Sequence, residues 1–258
     1  MSTRAPAGPG RTAPHRRRNI ALIVIVVLVV ALVGVVVGGE FYARHRVSNC
    51  VANTLEKELG GPVDVGLGAR PLLLTVFNNT VSSIEVSSDD VDLTGPGEAG
   101  VRDLSLQSTI HDIHLPEGDA PGTVGSSEAN VQWDTDAIAS SLQSLPFGAL
   151  ITGVTANPSA GTMDIEALGG LGTMTLTPAV RGGTVTMDAS DVTALGVGLP
   201  TGAAQQIIDA ITQNLSAYPL RMQPTSVSVT DKGLQVELQG GTAPLSENGS
   251  MQVDCSVI

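Results

Sequence analysis

The sequence predicts an α+β fold: an N-terminal transmembrane helix followed by one long curved antiparallel sheet wrapped around a few helices. Three observations predict it. Residues 19–39, NIALIVIVVLVVALVGVVVGG, form an unbroken run without a charge. Beyond them the elements read helix, strands, helix, strands, helix, hairpin, which is not the regular βαβ alternation of a parallel sheet. The strand segments alternate apolar and polar residues, the period of a sheet covered on one face.

The apolar run comes first. Its core, residues 20–39, is 20 residues long, which at about 1.5 Å per helical residue spans the roughly 30 Å hydrocarbon layer. Arg4, Arg11, Arg16, Arg17 and Arg18 precede it and Glu40 ends it. Only Arg44 and Arg46 follow closely, so the positive-inside rule places the N-terminus in the cytoplasm and the remainder outside. A cleaved signal peptide would have a shorter apolar region and a small-x-small site, which Val37-Gly38-Gly39-Glu40 does not supply. The predicted division is a disordered cytoplasmic tail (1–18), a transmembrane helix (19–39), a connector (40–49), an ectodomain (50–240) and a C-terminal tail (241–258). The predicted location is the cell membrane, single-pass, with the ectodomain extracytoplasmic.

Residues 49–59 read as a short helix with Val51, Leu55 and Leu59 on one face, stopped by Gly60-Gly61-Pro62. Val63, Val65 and Leu67 then alternate as a strand. Residues 83–86 and 91–93 read as strand pieces. Val101, Leu104, Leu106, Ile110, Ile113 and Leu115 belong to a further strand pair with a slip or bulge near His111. Residues 116–125 read as a loop. Asp134 or Thr135 caps a helix carrying Ile138, Leu142 and Leu145, which Pro146 ends. Strands follow at 162–167, 173–177 and 184–189, separated by Gly169-Gly170 and Gly182-Gly183. A third helix is predicted over 203–215, with Ala204, Ile207, Ile208, Ile211 and Leu215 as its apolar stripe. A hairpin closes the domain, 226–229 and 234–238 around Asp231-Lys232-Gly233. Residues after Gly240 read as loose.

Composition narrows the function. Residues 47–258 carry 24 acidic and 6 basic side chains, a net of 18 negative charges. Nucleic acid, which demands a basic footprint, is excluded as a partner. Lipid recognition would have to come from apolar burial or from isolated arginines within a site. The two cysteines, Cys50 and Cys255, stand at the two ends of the ectodomain. In an oxidising compartment they pair with each other or remain two free thiols.

A search for catalytic chemistry finds neither a G-x-S-x-G elbow nor H-E-x-x-H, a Walker loop or a complete dinucleotide fingerprint. His111 and His114 would point to opposite faces of a strand. The Asp89-Asp90-Val91-Asp92 run lacks the glycine and glutamate of a calcium loop. No enzyme activity, metal or cofactor is predicted. Ile165, Met174, Leu176, Val185 and Met187 instead place long, flexible apolar groups on one sheet face, with Asp164, Glu166 and Asp188 on the other. Such a face either packs as core or lines a pliable apolar cavity, and methionine suits both.

Several segments together carry a family resemblance: VDVGLGARPLL, SIEVSSDDVDL, VRDLSLQSTIHDIHL, ANVQWDTDAIASSL, GTMDIEA, TVTMDASDVTALGVGLP, QQIIDAITQNL, YPLRMQPTSVSV and DKGLQVELQG. In this order, over residues 51–238, they resemble the LmeA family of actinobacterial phospholipid-binding proteins. The resemblance implies a tubular lipid-binding-like fold, with a curved sheet around a helix and an apolar tunnel. It also implies a phospholipid ligand, of the phosphatidylinositol type, and a supporting role in lipomannan and lipoarabinomannan elongation in the cell envelope. On that basis the acyl chains would lie between the sheet residues Ile165, Met174, Leu176, Val185 and Met187 and the helix residues Ala204, Ile207, Ile208, Ile211 and Leu215. Arg181 or Arg221 would meet a phosphate at the mouth. The alternative is an anchored scaffold that holds envelope glycosyltransferases and binds no lipid.

Overall fold

A computed structural model describes residues 15–72, 75–93, 101–117, 121–145, 148–194 and 219–245. The chain divides into two compact units, Met1–Ala43 and Arg44–Ile258. Helix α1 (His15–Leu59) contributes to both. In the first unit its apolar side chains are exposed, Leu28 at 63% and Val35 at 73%. Among the described residues it is the one helix long and apolar enough to cross a membrane. The residues expected to connect span and domain, 40–49, are helical too, so the short helix predicted over 49–59 is the end of a longer one. In the second unit Val51, Leu55 and Leu59 are half-buried while Asn49, Asn53 and Lys57 are exposed, the predicted stripe.

The second unit is antiparallel α+β, as predicted. Its strands are β1 (Asp64–Leu67), β2 (Thr80–Leu93), β3 (Val101–His114), β4 (Thr123–Val124), β5 (Ser126–Asp134) and β6 (Ile151–Asn157). They continue with β7 (Thr162–Ala167), β8 (Gly172–Arg181), β9 (Thr184–Ala194), β10 (Gln223–Val229), β11 (Gly233–Gly240) and β12 (Ala243–Pro244). The helices are α2 (Thr75–Asn78) and α3 (Thr135–Gln143). The strands form two hydrogen-bonded sheets rather than one. The first has eight strands in the order β1-β2-β3-β5-β11-β10, with β4 and β12 paired beside it, and the second is β6-β7-β8-β9.

Most strand boundaries follow the alternation. Strand β7 coincides with the predicted 162–167 and shows strict in-out burial, Met163, Ile165 and Ala167 inward. The two pieces expected at 83–86 and 91–93 are one strand, β2, interrupted by a bulge between Ser88 and Val91. Near His111 the irregularity is a kink and not a slip. Asp112 sits at φ 51° while the β2–β3 register is the same on both sides, Val81 opposite Ile113 and Ser83 opposite His111. The kink shifts the alternation by one residue, which packs Ile110 and Ile113 in the same apolar cluster. Gly182 and Gly183, at φ 59° and 79°, make the two-residue turn that joins Arg181 to Thr184. Both central residues of such a turn need positive φ, which glycine adopts without a steric cost.

Three expectations are corrected. Residues 126–134 and 151–157, not read as strands, are β5 and β6. Within the loop 116–125 and the loose segment after Gly240, Thr123–Val124 pairs with Ala243–Pro244, and Val124 and Ala243 are buried. Asp134 stands at the N-cap of α3 but makes no side-chain cap bond; its carboxylate accepts from Gln132 Nε2 at 2.7 Å.

One core holds the domain together. It draws on both sheets and on α3: Leu104, Trp133 and Leu234 from the first sheet, Ile138 and Leu142 from the helix, and Ile165, Met174 and Leu176 from the second sheet. Ile165 is 2% exposed. Replacing it with alanine leaves a cavity in a two-sided core, so Ile165→Ala should cost about 2–5 kcal/mol. Urea unfolding of the detergent-solubilised full chain checks this.

Candidate functional site

The sheet residues expected to line a cavity are core residues. Ile165, Met174, Leu176, Val185 and Met187 are 2%, 2%, 0%, 1% and 6% exposed. They share the core with Met163 and Met222, so four of the chain's six methionines meet there. Asp164, Glu166 and Asp188 occupy the opposite face of their strands, as expected; Asp164 accepts from Thr175 Oγ1 at 2.6 Å. The helix expected over 203–215 lies outside the described residues, with Ala204, Ile207, Ile208, Ile211 and Leu215. Cys255 lies outside them as well, and Cys50 is half-buried on α1.

The half-exposed apolar surface is on the first sheet. Leu106 stands opposite Val131, Val131 opposite Val236 and Val236 opposite Val227, so one row crosses four strands. Val236 is 3% exposed, but Leu106, Val131 and Val227 pack against the core while keeping partial exposure. Toward the far end of the same sheet, Val81, Ile84 and Ile110 are also half-buried and pack on the smaller cluster of Ile113, Val124 and Ala243. Two polar atoms flank Val131 on its own strand. Ser127 Oγ and Trp133 Nε1 are buried without a hydrogen-bond partner among the described residues. All three residues share one face of β5, since alternate residues of a strand point the same way. An unpaired buried donor costs about 1–3 kcal/mol, so a native structure that holds two invites a partner. The sequence signal for this row was the alternation in Leu104-Ser-Leu106 and Ala129-Asn-Val131-Gln-Trp133. Nothing in it distinguishes a half-covered face from a covered one.

A small pocket of mixed lining lies at the start of β2. Arg70, Thr75, Asn78, Thr80 and Ser82 line it together with apolar neighbours that include Leu72 and Val81, and its volume is about 40 Å³. Arg44 of α1 fixes its loop: the guanidinium donates to the carbonyls of Leu67, Gly68 and Arg70 at 3.1, 2.8 and 2.6 Å. Gly68 lies flat on β2, its N–H donating to Ser83 O at 2.9 Å. A Cβ there would come within 2.2 Å of Ser83 Oγ.

The other charged candidates are committed locally. Arg181 forms a two-pronged pair with Asp188 across the β8–β9 hairpin, Nη1 to Oδ1 at 2.7 Å. Arg221 is exposed, at φ 53° in the 3-10 turn Pro219–Arg221. His111 faces Glu128 at 3.8 Å, and His114 is exposed. The carboxylates of Asp90, Asp92 and Asp103 come together at the β2–β3 bulge, where Asp92 Oδ1 accepts from the Asp103 N–H at 3.3 Å. The hydrogen-bonded Arg181 guanidinium holds the Asp188 carboxyl below its ordinary value. What the pair adds to stability is therefore present above the ordinary aspartate range and is lost as pH falls through the lowered value. Both side chains are exposed, so solvent keeps that contribution small. In Arg181→Gln the Asp188 midpoint, followed by carboxyl ¹³C NMR, should rise into the ordinary range.

Uncharacterised proteins of Mycobacterium bovis and of two strains of Mycobacterium tuberculosis are 28% identical over 232 residues. The alignments cover 87% of this chain but 65% of the relatives, so this chain spans less than two thirds of their length. No solved structure matches. The LmeA-like phospholipid-binding family matches residues 35–239, which takes in β1 to β10 and all of β11 but its last residue. The chain belongs to the LmeA-like phospholipid-binding family.

Proposed function

We propose that this is a membrane-anchored, extracytoplasmic phospholipid-binding protein of the cell envelope that holds acyl chains and catalyses no reaction. Family membership supports the ligand class. The exposed apolar helix supports the anchor, and the arginines of residues 1–18 support a cytoplasmic N-terminus. A phosphatidylinositol-type ligand and a role beside lipomannan and lipoarabinomannan elongation rest on the family resemblance.

The observation that carries the binding reading is the half-exposed row Leu106–Val131–Val227, on whose β5 face Ser127 and Trp133 have no hydrogen-bond partner among the described residues. The acyl chains lie along this row, with the stripe Ala204, Ile207, Ile208, Ile211 and Leu215 as their cover. Each methylene is worth about 0.8 kcal/mol whether it leaves water for lipid or for protein. Moving a chain from bilayer to protein is therefore near neutral when the contact areas match, as reversible loading requires.

Charge in the row tests this reading. Val131→Glu should abolish co-purifying lipid in mass spectra of the extracted protein while circular dichroism keeps the native strand signal. Undiminished lipid would move the site elsewhere. Met187→Glu places a charge in the closed core, and is expected to unfold the domain rather than empty it.

We also propose that Cys50 pairs with Cys255, closing a loop of about 200 residues worth roughly 5 kcal/mol in the chain-entropy account. Peptide mapping without reductant should return the two cysteine peptides as one cross-linked species. Recovering both in alkylated form would exclude the bond.

A further inference from the structure

We propose that the pocket at the start of β2 binds a phosphoryl group, with Arg70 as its cation, and that in the intact system this is the headgroup phosphate of the bound lipid. The proposal rests on the lipid-binding reading above for the source of the phosphate, but not for the pocket's chemistry.

The pocket's hydrogen bonds leave it a set of donors. Asn78 Oδ1 accepts from the Thr80 N–H at 3.2 Å, which turns the Asn78 amide so that its NH₂ remains available. The Thr80 hydroxyl donates to Asn78 O at 2.9 Å, and the Thr75 hydroxyl donates to Thr80 O at 3.4 Å. The acceptors of the loop are thus used internally, and the backbone carbonyls of Leu67, Gly68 and Arg70 are covered by Arg44. The groups left to meet a ligand are the Arg70 guanidinium, the Asn78 amide and the Ser82 hydroxyl. That set suits an anion with several acceptor oxygens, and the guanidinium fork matches phosphate geometry. Arg70 is exposed, and among the described residues it has no carboxylate partner, unlike Arg181.

Size agrees. A volume of about 40 Å³ holds roughly three waters, comparable to one phosphoryl group and far too little for an acyl chain. Position agrees as well. Val81 lines the pocket and packs with Ile84 and Ile110 on the smaller apolar cluster, so the pocket's donors adjoin half-buried apolar residues of the first sheet. A molecule with a phosphate at one end and acyl chains at the other fits this juxtaposition.

The test uses the full chain in a non-ionic detergent and two lipids with identical acyl chains, dioleoylphosphatidylglycerol and dioleoylglycerol, read by native mass spectrometry. The wild type should retain the phospholipid about tenfold better, a difference of about 1.4 kcal/mol. Arg70→Gln should lose that preference while still retaining dioleoylglycerol, and Ser82→Ala should lose part of it. Equal retention of both lipids by the wild type, or a preference unchanged in both variants, overturns the proposal. If neither lipid is retained, the acyl-binding reading fails and inorganic phosphate alone decides the pocket. Saturable amide shifts at Gly68 and Ser82 that vanish in Arg70→Gln would establish a free-phosphate site, and their absence would overturn it.

Discussion

Two open antiparallel sheets, each with one apolar face, must cover each other before either is stable in water. The chain meets this constraint almost without aromatic residues. Trp133 is its one tryptophan, placed opposite both Leu104 and Leu234 where the sheets and α3 converge. The remaining volume is filled by branched aliphatics and four methionines. Such a core gains its stability from area, not from a few large anchors, so each inward position along β7, β8 and β11 matters to a similar degree. It also remains deformable, because methionine has more rotatable bonds than leucine or valine.

The sheets are unequal, eight strands against four, and this inequality shapes the surface. The smaller sheet and α3 bury Trp133, Leu234 and Val236 to 3% or less. They leave Leu106, Val131 and Val227, which share the row of Val236, partly exposed. A half-covered apolar row on a rigid, hydrogen-bonded surface costs hydrophobic stabilisation. On the proposed reading, the binding surface is what remains when a wide sheet is incompletely covered.

How far the sequence reveals this can be read from particular elements. Strict alternation in residues 162–167 locates β7 to the residue, because one face is buried and the other wet. Strand β6, ITGVTAN, escapes because Gly153 and Ala156 blur its period. The short β4–β12 pairing escapes because two-residue strands leave no periodic signal; only the burial of Val124 and Ala243 marks it. The bulge in β2 divides its pattern into two apparent strands. For the site, the sequence identifies which residues face inward but not which of them are left half-covered, since that depends on the width of the opposing sheet. Arg70 escapes for a related reason. Its significance comes from Arg44, 26 residues earlier, and from the donor pattern of Asn78 and Thr80, which no local motif records.

A segment of 18 net negative charges over residues 47–258 is an unpromising receptor for an anionic lipid if charge is averaged over the molecule. Averaging is the wrong operation. At physiological salt the field of a surface charge falls off over about 8 Å, so the carboxylates at the β2–β3 bulge do not govern a phosphate beside Arg70 at the opposite end of β2. What governs it is the local donor set and how firmly that set is held. Arg44 holds it through three carbonyls. On the proposed reading one arginine organises the loop, a second meets the phosphate, and the acidic remainder keeps the domain soluble without opposing the lipid it binds.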